Sequence, residues 1–202
     1  MRPRLPKLLC TLVLALSAAA VQAAASDPAV AQVQTLTAAL LKSMQAGSSV
    51  STPERYRRLE PVIQQVFALP LMTRIAVGPD WASFSPEQQK ASIAAFSRFT
   101  VANYAYNFRD FDGQKFEVEE QAASRGADKL VQSRIISAHG TSTSLLYRMR
   151  DVDGAWKVLD VYSEGVSELT LRRSDFVAAI AAGGAPALIV HLNKASDGLM
   201  NR

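Results

Sequence analysis

The first half of the chain carries apolar residues at helical spacing. One apolar stripe ends at the helix-breaking segment Gly47-Ser48-Ser49. A second stripe follows Thr52-Pro53-Glu54, a motif that commonly starts a helix. The first stripe is formed by Val30, Val33, Leu36, Leu40 or Leu41, and Met44, and the second by Tyr56, Leu59, Ile63, Val66 and Phe67. A short helix is predicted over 71–77. A capping-box-like start, Ser85-Pro86-Glu87-Gln88, then opens a long helix that is expected to reach Phe111.

The periodicity changes to two after residue 115, which is typical of strands. Four alternating runs are predicted, at 116–118, 131–137, 144–152 and 155–163. The dipeptide Asp153-Gly154 between the last two runs is a strong hairpin signal. A two-residue turn there places Met149 opposite Val158, Tyr147 opposite Asp160, and Leu145 opposite Tyr162, all on one face of the sheet.

Helical spacing returns after the strands. Ser174 can cap a helix over 175–182 that stops at Gly183-Gly184, and Pro186 can begin a last helix. The order of elements predicts an α+β fold, in which a curved antiparallel meander of about four strands packs with N- and C-terminal helices and encloses an apolar pocket. We expect a single domain over 26–202.

The segment 1–25 has the order of a secretory signal. A basic stretch at 1–7 precedes an apolar run from Leu8 to Val21 and small residues at 23–26. The run is shorter than the roughly 20 residues of a spanning helix, and no second apolar stretch of that length is evident, so a permanent membrane anchor is not expected. Cleavage after Ala23 and cleavage after Ala25 both fit. We expect export through the inner membrane to the periplasm.

Charge and cysteine content exclude several function classes. The net charge of +4 includes Arg2, Arg4 and Lys7, so removal of the signal leaves +1 and no basic tract. A nucleic-acid partner is therefore not expected. The single cysteine, Cys10, also lies in the signal, so the mature chain is expected to lack disulfides, thiol catalysis and cysteine-based zinc sites.

Residues suited to catalysis or cofactor binding are sparse. His139 and His191 lie far apart without metal-ligand spacing, and neither a Gly-x-Ser-x-Gly elbow nor a phosphate loop occurs in the sequence. The segment 151–154 starts like a calcium loop but lacks the later ligands. We therefore predict no metal, no cofactor and no catalytic residue, and we do not expect an enzyme.

One carboxylate, Asp160, falls on an otherwise apolar face of the predicted sheet. We expect a buried acid that is hydrogen-bonded to Tyr147 or paired with Arg172 or Arg173. The alternative interpretation is a hydrolase or isomerase in which Asp160 acts with Tyr147 in a cone-shaped pocket.

Large apolar and amphipathic side chains converge between the predicted sheet and helices. Their pattern fits a packed core, and it also fits a cavity that an acyl chain fills, because the same residue types line both. On the second interpretation, the candidate lipid-binding residues are Met72, Ile75, Trp81, Phe96, Phe99, Tyr104, Tyr147, Met149, Val158, Tyr162 and Phe176.

The region 146–176 resembles a known family. The residues concerned are Leu146-Tyr147-Arg148-Met149-Arg150, Asp153-Gly154-Ala155-Trp156-Lys157-Val158-Leu159-Asp160-Val161, Glu164-Gly165-Val166-Ser167 and Arg172-Arg173-Ser174-Asp175-Phe176. They are similar to the signature region of the MlaC, or toluene-tolerance, family of periplasmic lipid-binding proteins. The resemblance implies a carrier that holds acyl tails between sheet and helices. It also implies that phospholipid passes between membrane-associated transport complexes of the inner and outer membranes, and we expect a monomer.

The segment 168–176 departs from the phospholipid shuttles and is more similar to the HpnM branch of the family, whose members are associated with hopanoid biosynthesis. This resemblance implies a rigid polycyclic hopanoid as an alternative cargo. A further interpretation is an envelope adaptor with a solid core and no lipid. Two groups of arginines could contact lipid headgroups or an acidic partner. The first group is Arg55, Arg57 and Arg58, and the second is Arg172 and Arg173. We expect each group to lie on a solvated helix face.

Overall fold

A computed structural model describes residues 27–202. The predicted signal over 1–25 lies outside the described residues. Four helices come first: α1 Pro28–Gln45, α2 Thr52–Val66, α3 Leu69–Val77 and α4 Pro86–Asn107. Six strands follow: β1 Lys115–Val118, β2 Ala123–Arg125, β3 Asp128–Ile136, β4 Ser142–Val152, β5 Ala155–Ser163 and β6 Val166–Ser167. A last helix, α5 Glu168–Met200, completes the α+β fold, and the predicted fold class is confirmed.

Local side-chain caps set where the N-terminal helices begin. The carboxylate of Asp27 accepts from the backbone N–H of Ala29, and the hydroxyl of Ser51 accepts from that of Glu54. Ser85 and Gln88 form the reciprocal capping box that the sequence predicts at the start of α4. The same helix ends at Asn107, four residues before the predicted end, and leaves Phe111 exposed.

The antiparallel sheet has the strand order β1-β3-β4-β5-β6, and β2 also pairs with β3. It contains two strands more than the four predicted. Strand β2 forms a tight hairpin with β3, since Arg125 pairs with Asp128, and β6 pairs only Val166 and Ser167 with β5. Both additions are too short to show a periodicity of two in the sequence.

The predicted hairpin register is wrong beyond Met149, because β5 contains a β-bulge. Met149 pairs with Val158 as predicted, but Arg148 then pairs with Asp160, so Leu159 is an extra residue on β5. Every pair beyond the bulge is displaced by one residue. Tyr147 therefore lies opposite Val161, not opposite Asp160, and the predicted pairing of Leu145 with Tyr162 is also wrong, because Leu145 pairs with Ser163.

Helix α5 begins seven residues earlier than predicted. Its N-cap is Ser167, whose hydroxyl accepts from the backbone N–H of Thr170, whereas Ser174 lies inside the helix. The predicted break is present as a kink, since Gly183 and Gly184 have non-helical backbone angles and Gly184 has φ 64°. Contrary to the sequence expectation, α5 is long and apolar enough to cross a membrane by length and composition. Only 22% of that apolar window is buried, but the helix is kinked, and one side of it packs against the protein core through Phe176, Leu188 and Leu192.

The core lies between the helices and one face of the sheet. Phe176 and Leu188 of α5 are fully buried, and the ring of Phe176 meets that of Phe96 edge-on at 5.4 Å between centroids. On the other side, Phe67 lies against Val158, whose carbonyl accepts from the backbone N–H of Ala68 at 2.9 Å. These contacts attach the junction of α2 and α3 to the sheet at one end of the core.

Arg55 is buried, so its expected place on a solvated helix face is wrong. Only 1% of the residue is exposed. Its guanidinium donates to the backbone carbonyls of Ser43 and Gly47, at the C-terminal end of α1. The Ser43 carbonyl lies in the last turn of α1, and the Gly47 carbonyl lies just beyond it and also accepts from the backbone N–H of Val50, so Arg55 caps the C-terminal end of α1 from α2. By contrast, the neighbouring Arg57 and Arg58 are exposed and pair with Glu54.

Asp128 gives a first testable prediction, on acid stability. It is 5% exposed, and its carboxylate accepts from Arg148 Nε and Arg150 Nε, each at 2.5 Å. Burial alone would raise the pKa of Asp128, but the hydrogen bonds from Arg150 and Arg148 outweigh burial and lower it. The stabilisation is therefore present above the ordinary carboxyl pKa of about 4 and is lost as the pH falls through the lower folded value.

Asp128→Asn is expected to lower the free energy of unfolding by about 1–2 kcal/mol at pH 7, because the partner arginines are partly solvated. The difference in the free energy of unfolding between the wild type and the variant should shrink toward zero below about pH 4. Urea titrations between pH 3 and pH 7 measure it. A difference that stays constant over this range would show that ionisation of Asp128 does not stabilise the fold.

Candidate functional site

An apolar cavity of about 380 Å³ lies between the sheet and helices α4 and α5. This volume is within the range of about 300–1,000 Å³ that is typical of small-molecule sites. The lining side chains are Phe67, Met72, Phe96, Phe99, Thr100, Asn103, Tyr104, Asn107, Phe108, Ile135, Thr143, Leu145, Tyr147, Val161, Ser163, Glu168, Leu169 and Arg172. Most of them are large and apolar, so the space suits a hydrocarbon ligand.

Five of the eleven candidate lipid-binding residues line this cavity: Met72, Phe96, Phe99, Tyr104 and Tyr147. They come from three different elements, α3, α4 and β4. The fold therefore brings together residues that are up to 75 positions apart in the chain. Their contact with a lipid stays a prediction.

The other six candidates lie elsewhere. Met149, Val158 and Phe176 are fully buried core residues. Ile75 is 37% exposed, and Trp81 lies in the short 3-10 helix Gly78–Ser83 beside Phe84, with 6.1 Å between ring centroids. Tyr162 is turned away by the bulge and pairs with Leu146 on the opposite face of the sheet. The geometry gives these six no position on the cavity wall.

Several lining residues were not among the candidates because the sequence hides their position. Val161 and Ser163 reach the cavity face only because Leu159 shifts the register of β5. Glu168, Leu169 and Arg172 reach it because α5 begins at Glu168. A bulge leaves no signature in the alternation of apolar and polar residues. The start of α5 is also ambiguous in the sequence, because Ser167 and Ser174 are both residues that commonly cap helices.

A row of aromatic rings forms one wall of the cavity. Tyr104 lies between Phe67 and Phe108, with ring centroids 5.4 Å and 5.5 Å away, and Phe116 continues the row at 6.2 Å from Phe108. Such contacts stabilise each other beyond simple area burial and restrict ring rotation. The rings of Phe67, Tyr104 and Phe108 therefore form a continuous aromatic surface of the cavity.

Two charged side chains, Glu168 and Arg172, contribute to the lining. Their charged groups are 3.7 Å apart, and Arg172 also pairs with Asp175 at 3.2 Å. The guanidinium of Arg172 lies 5.0 Å from the ring centroid of Phe99. Arg172 therefore lies between an aromatic ring of the cavity and the carboxylates of Glu168 and Asp175.

The two lining tyrosines are neutral at physiological pH. Burial raises the pKa of Tyr104 well above its ordinary value, and the nearby Tyr147 and Glu168 raise it further. Burial also raises the pKa of Tyr147. Both side chains therefore present hydroxyl groups, not phenolates, to the cavity.

Asp160 supports the fold at the edge of the cavity. One carboxylate oxygen accepts from the hydroxyl of Ser167 at 2.6 Å and the other from the backbone N–H of Leu169 at 3.1 Å. The predicted partners of Asp160 were Tyr147, Arg172 or Arg173, and this prediction is wrong. Because both oxygens hold the first turn of α5, they are already engaged by protein donors, and the geometry gives no support to acid–base catalysis.

Asp160→Ala is expected to lower the free energy of unfolding by about 2 kcal/mol, because it leaves the buried N–H of Leu169 and the hydroxyl of Ser167 without an acceptor. Asp175→Ala, on the exposed side of the same helix, is the matched control and should change stability by less than about 0.5 kcal/mol. Urea denaturation compares the two. Equal stabilities for the two variants would rule out this anchoring role.

A family model for the MlaC protein matches residues 32–194, which is most of the chain. The chain belongs to the MlaC family. The match includes every residue that lines the cavity.

The individual relatives share less than 30% of their aligned residues with this chain. The intermembrane phospholipid transport system binding protein MlaC of Haemophilus influenzae is 27% identical over 126 residues, which are 60% of this chain and 58% of that protein. The match thus spans less than two thirds of the relative's length. A phospholipid-binding protein of Ralstonia solanacearum, solved in complex with a phospholipid, has the same fold with a TM-score of 0.72. At 23% identity, the match covers 85% of this chain and 98% of that one.

Proposed function

We propose that this protein is a periplasmic carrier, not an enzyme, that binds a phospholipid in the cavity and shuttles it between the inner and outer membranes. The observation that carries the proposal is the apolar cavity of about 380 Å³ between the sheet and helices α4 and α5. Its aromatic wall suits acyl chains, which offer no directional contacts.

Hydrophobic burial alone accounts for stable binding of such a ligand. Each methylene group that leaves water contributes about 0.8 kcal/mol. Ten buried methylenes would therefore contribute about 8 kcal/mol, which is enough to offset a large part of the cost of association. No cofactor or metal is needed for this function.

The relatives support the same proposal. The Haemophilus protein is named as the binding protein of a phospholipid transport system, and the Ralstonia protein was solved with a phospholipid. The signal-like segment 1–25 supports export to the periplasm. Membrane-associated transport complexes on the two membranes are the expected partners, and a monomer is the expected form of the carrier.

A hopanoid is a second candidate cargo. The segment 168–176, on which the resemblance to the HpnM branch depends, forms the first turns of α5. It includes Glu168, Leu169 and Arg172, which line the cavity. A departure from the phospholipid shuttles therefore falls on the cavity wall itself, where it would affect which lipid shape fits.

Native mass spectrometry of the protein purified gently from its own envelope tests the binding proposal. We expect an added mass of one lipid, and extraction followed by lipid analysis will distinguish a phospholipid from a hopanoid. Transfer of a fluorescent phospholipid between two vesicle populations tests shuttling. An unliganded mass, together with no uptake from vesicles, would contradict the carrier function.

A further inference from the structure

Two hydroxyl groups of the cavity have no hydrogen-bond partner within the part of the chain that the structure describes. Tyr147 is 1% exposed and lines the cavity, as does Tyr104 on the facing helix. Among residues 27–202, neither hydroxyl donates a hydrogen bond to another protein group, whereas the hydroxyl of Tyr56 donates to Glu60 at 3.2 Å. Neither hydroxyl oxygen is one of the fully occluded side-chain atoms that lack a hydrogen-bond partner. Both hydroxyls are therefore still accessible, and both side chains line the cavity.

The positions of the two hydroxyls are fixed by packing. The ring of Tyr104 is held between Phe67 and Phe108. Tyr147 lies in the centre of the sheet between Val131 on β3 and Val161 on β5, both of which are buried. Moving either ring out of this position would break these packing contacts.

A purely hydrocarbon ligand would fit this arrangement poorly. Buried polar groups are hydrogen-bonded as a rule, because a donor that loses its water without gaining an acceptor destabilises the bound state. Methylene groups accept no hydrogen bonds. If only acyl tails filled this space, phenylalanine would serve better than tyrosine at both positions.

We propose that Tyr104 and Tyr147 determine specificity by donating hydrogen bonds to ester carbonyl oxygens of the bound lipid. This inference rests on the proposed carrier function and adds to it the two side chains that recognise the linkage region of the lipid. The linkage region of the lipid then lies beside the two hydroxyls, and the tails occupy the apolar remainder of the cavity.

Paired lipids that differ only in the linkage test this inference. The probes are vesicles of dipalmitoyl phosphatidylcholine, which has two ester carbonyls, and vesicles of its dihexadecyl ether analogue, which has none. The wild-type protein should retain the ester lipid roughly fivefold or more better than the ether lipid, as expected for one or two hydrogen bonds. Competitive uptake measured by native mass spectrometry gives this ratio.

The variants Tyr104→Phe and Tyr147→Phe, and the double variant, should each reduce the preference, and the double variant should bring the ratio close to one. Tyr106→Phe is the matched control, because Tyr106 is on α4 outside the cavity and its ring lies 4.0 Å from the guanidinium carbon of Arg109. It should keep the wild-type ratio. Thermal unfolding of all variants verifies that each one folds.

Two results overturn the inference. The first is equal uptake of ester and ether lipids by the wild-type protein, and the second is a preference that survives in the double variant. Both leave the carrier function intact, since lipid is still bound. Failure of the wild-type protein to take up either lipid would instead contradict the proposed function itself.

Discussion

Leu145→Trp is expected to remove lipid from the protein while leaving the fold intact. Leu145 is on β4, is 7% exposed and lines the cavity, so an indole at this position projects into the space that the acyl chain would occupy. Loss of room for even three methylenes weakens retention by more than about tenfold. The lipid-bound fraction in native mass spectra measures this loss.

The adjacent position supplies the control. Leu146 is on the same strand but faces the other side of the sheet, where it pairs with Tyr162. Leu146→Trp should therefore retain lipid like the wild type. If Leu145→Trp also retained lipid at the wild-type level and remained folded, the cavity would not be the binding site.

Arg55→Met is expected to lower the free energy of unfolding by about 3 kcal/mol. Methionine keeps much of the length of the side chain but donates no hydrogen bonds, so the carbonyl of Ser43 loses the guanidinium donor and that of Gly47 retains the backbone N–H of Val50. Burial disfavours the charge and lowers the pKa of Arg55, which offsets part of the loss. Urea denaturation at pH 7 measures the difference.

Arg57→Met, two positions away, is the control for Arg55. The side chain of Arg57 is 69% exposed and pairs only with Glu54, so its removal should change stability by less than about 0.5 kcal/mol. If the two variants were equally stable, Arg55 could not be capping α1 in the way described.

Local signals in the sequence were sufficient for some element boundaries. Ser85 and Gln88 identify the start of α4, and the two glycines at 183 and 184 identify the kink in α5, because caps and breakers act through neighbouring residues. The start of α5 was wrong because Ser167 and Ser174 carry the same capping chemistry. The acceptor that favours the first turn at Ser167 is Asp160, which belongs to another element.

The cavity could be predicted only in part. Tyr147 and Met149 are on the same face of β4, and both are buried, yet one lines the cavity and the other is in the core. No local pattern separates them, because the difference depends on which helix lies opposite each residue. The bulge at Leu159 has the same origin, since strand register is settled by packing across the whole sheet.

A crystal structure of the protein purified gently from its own envelope is the most direct test of the cavity as a lipid site. We expect continuous, elongated density between the sheet and α4, in contact with Phe99, Leu145 and Tyr147. The opposite result would be those three side chains packed directly against one another, with no space between them, and it would contradict the carrier function.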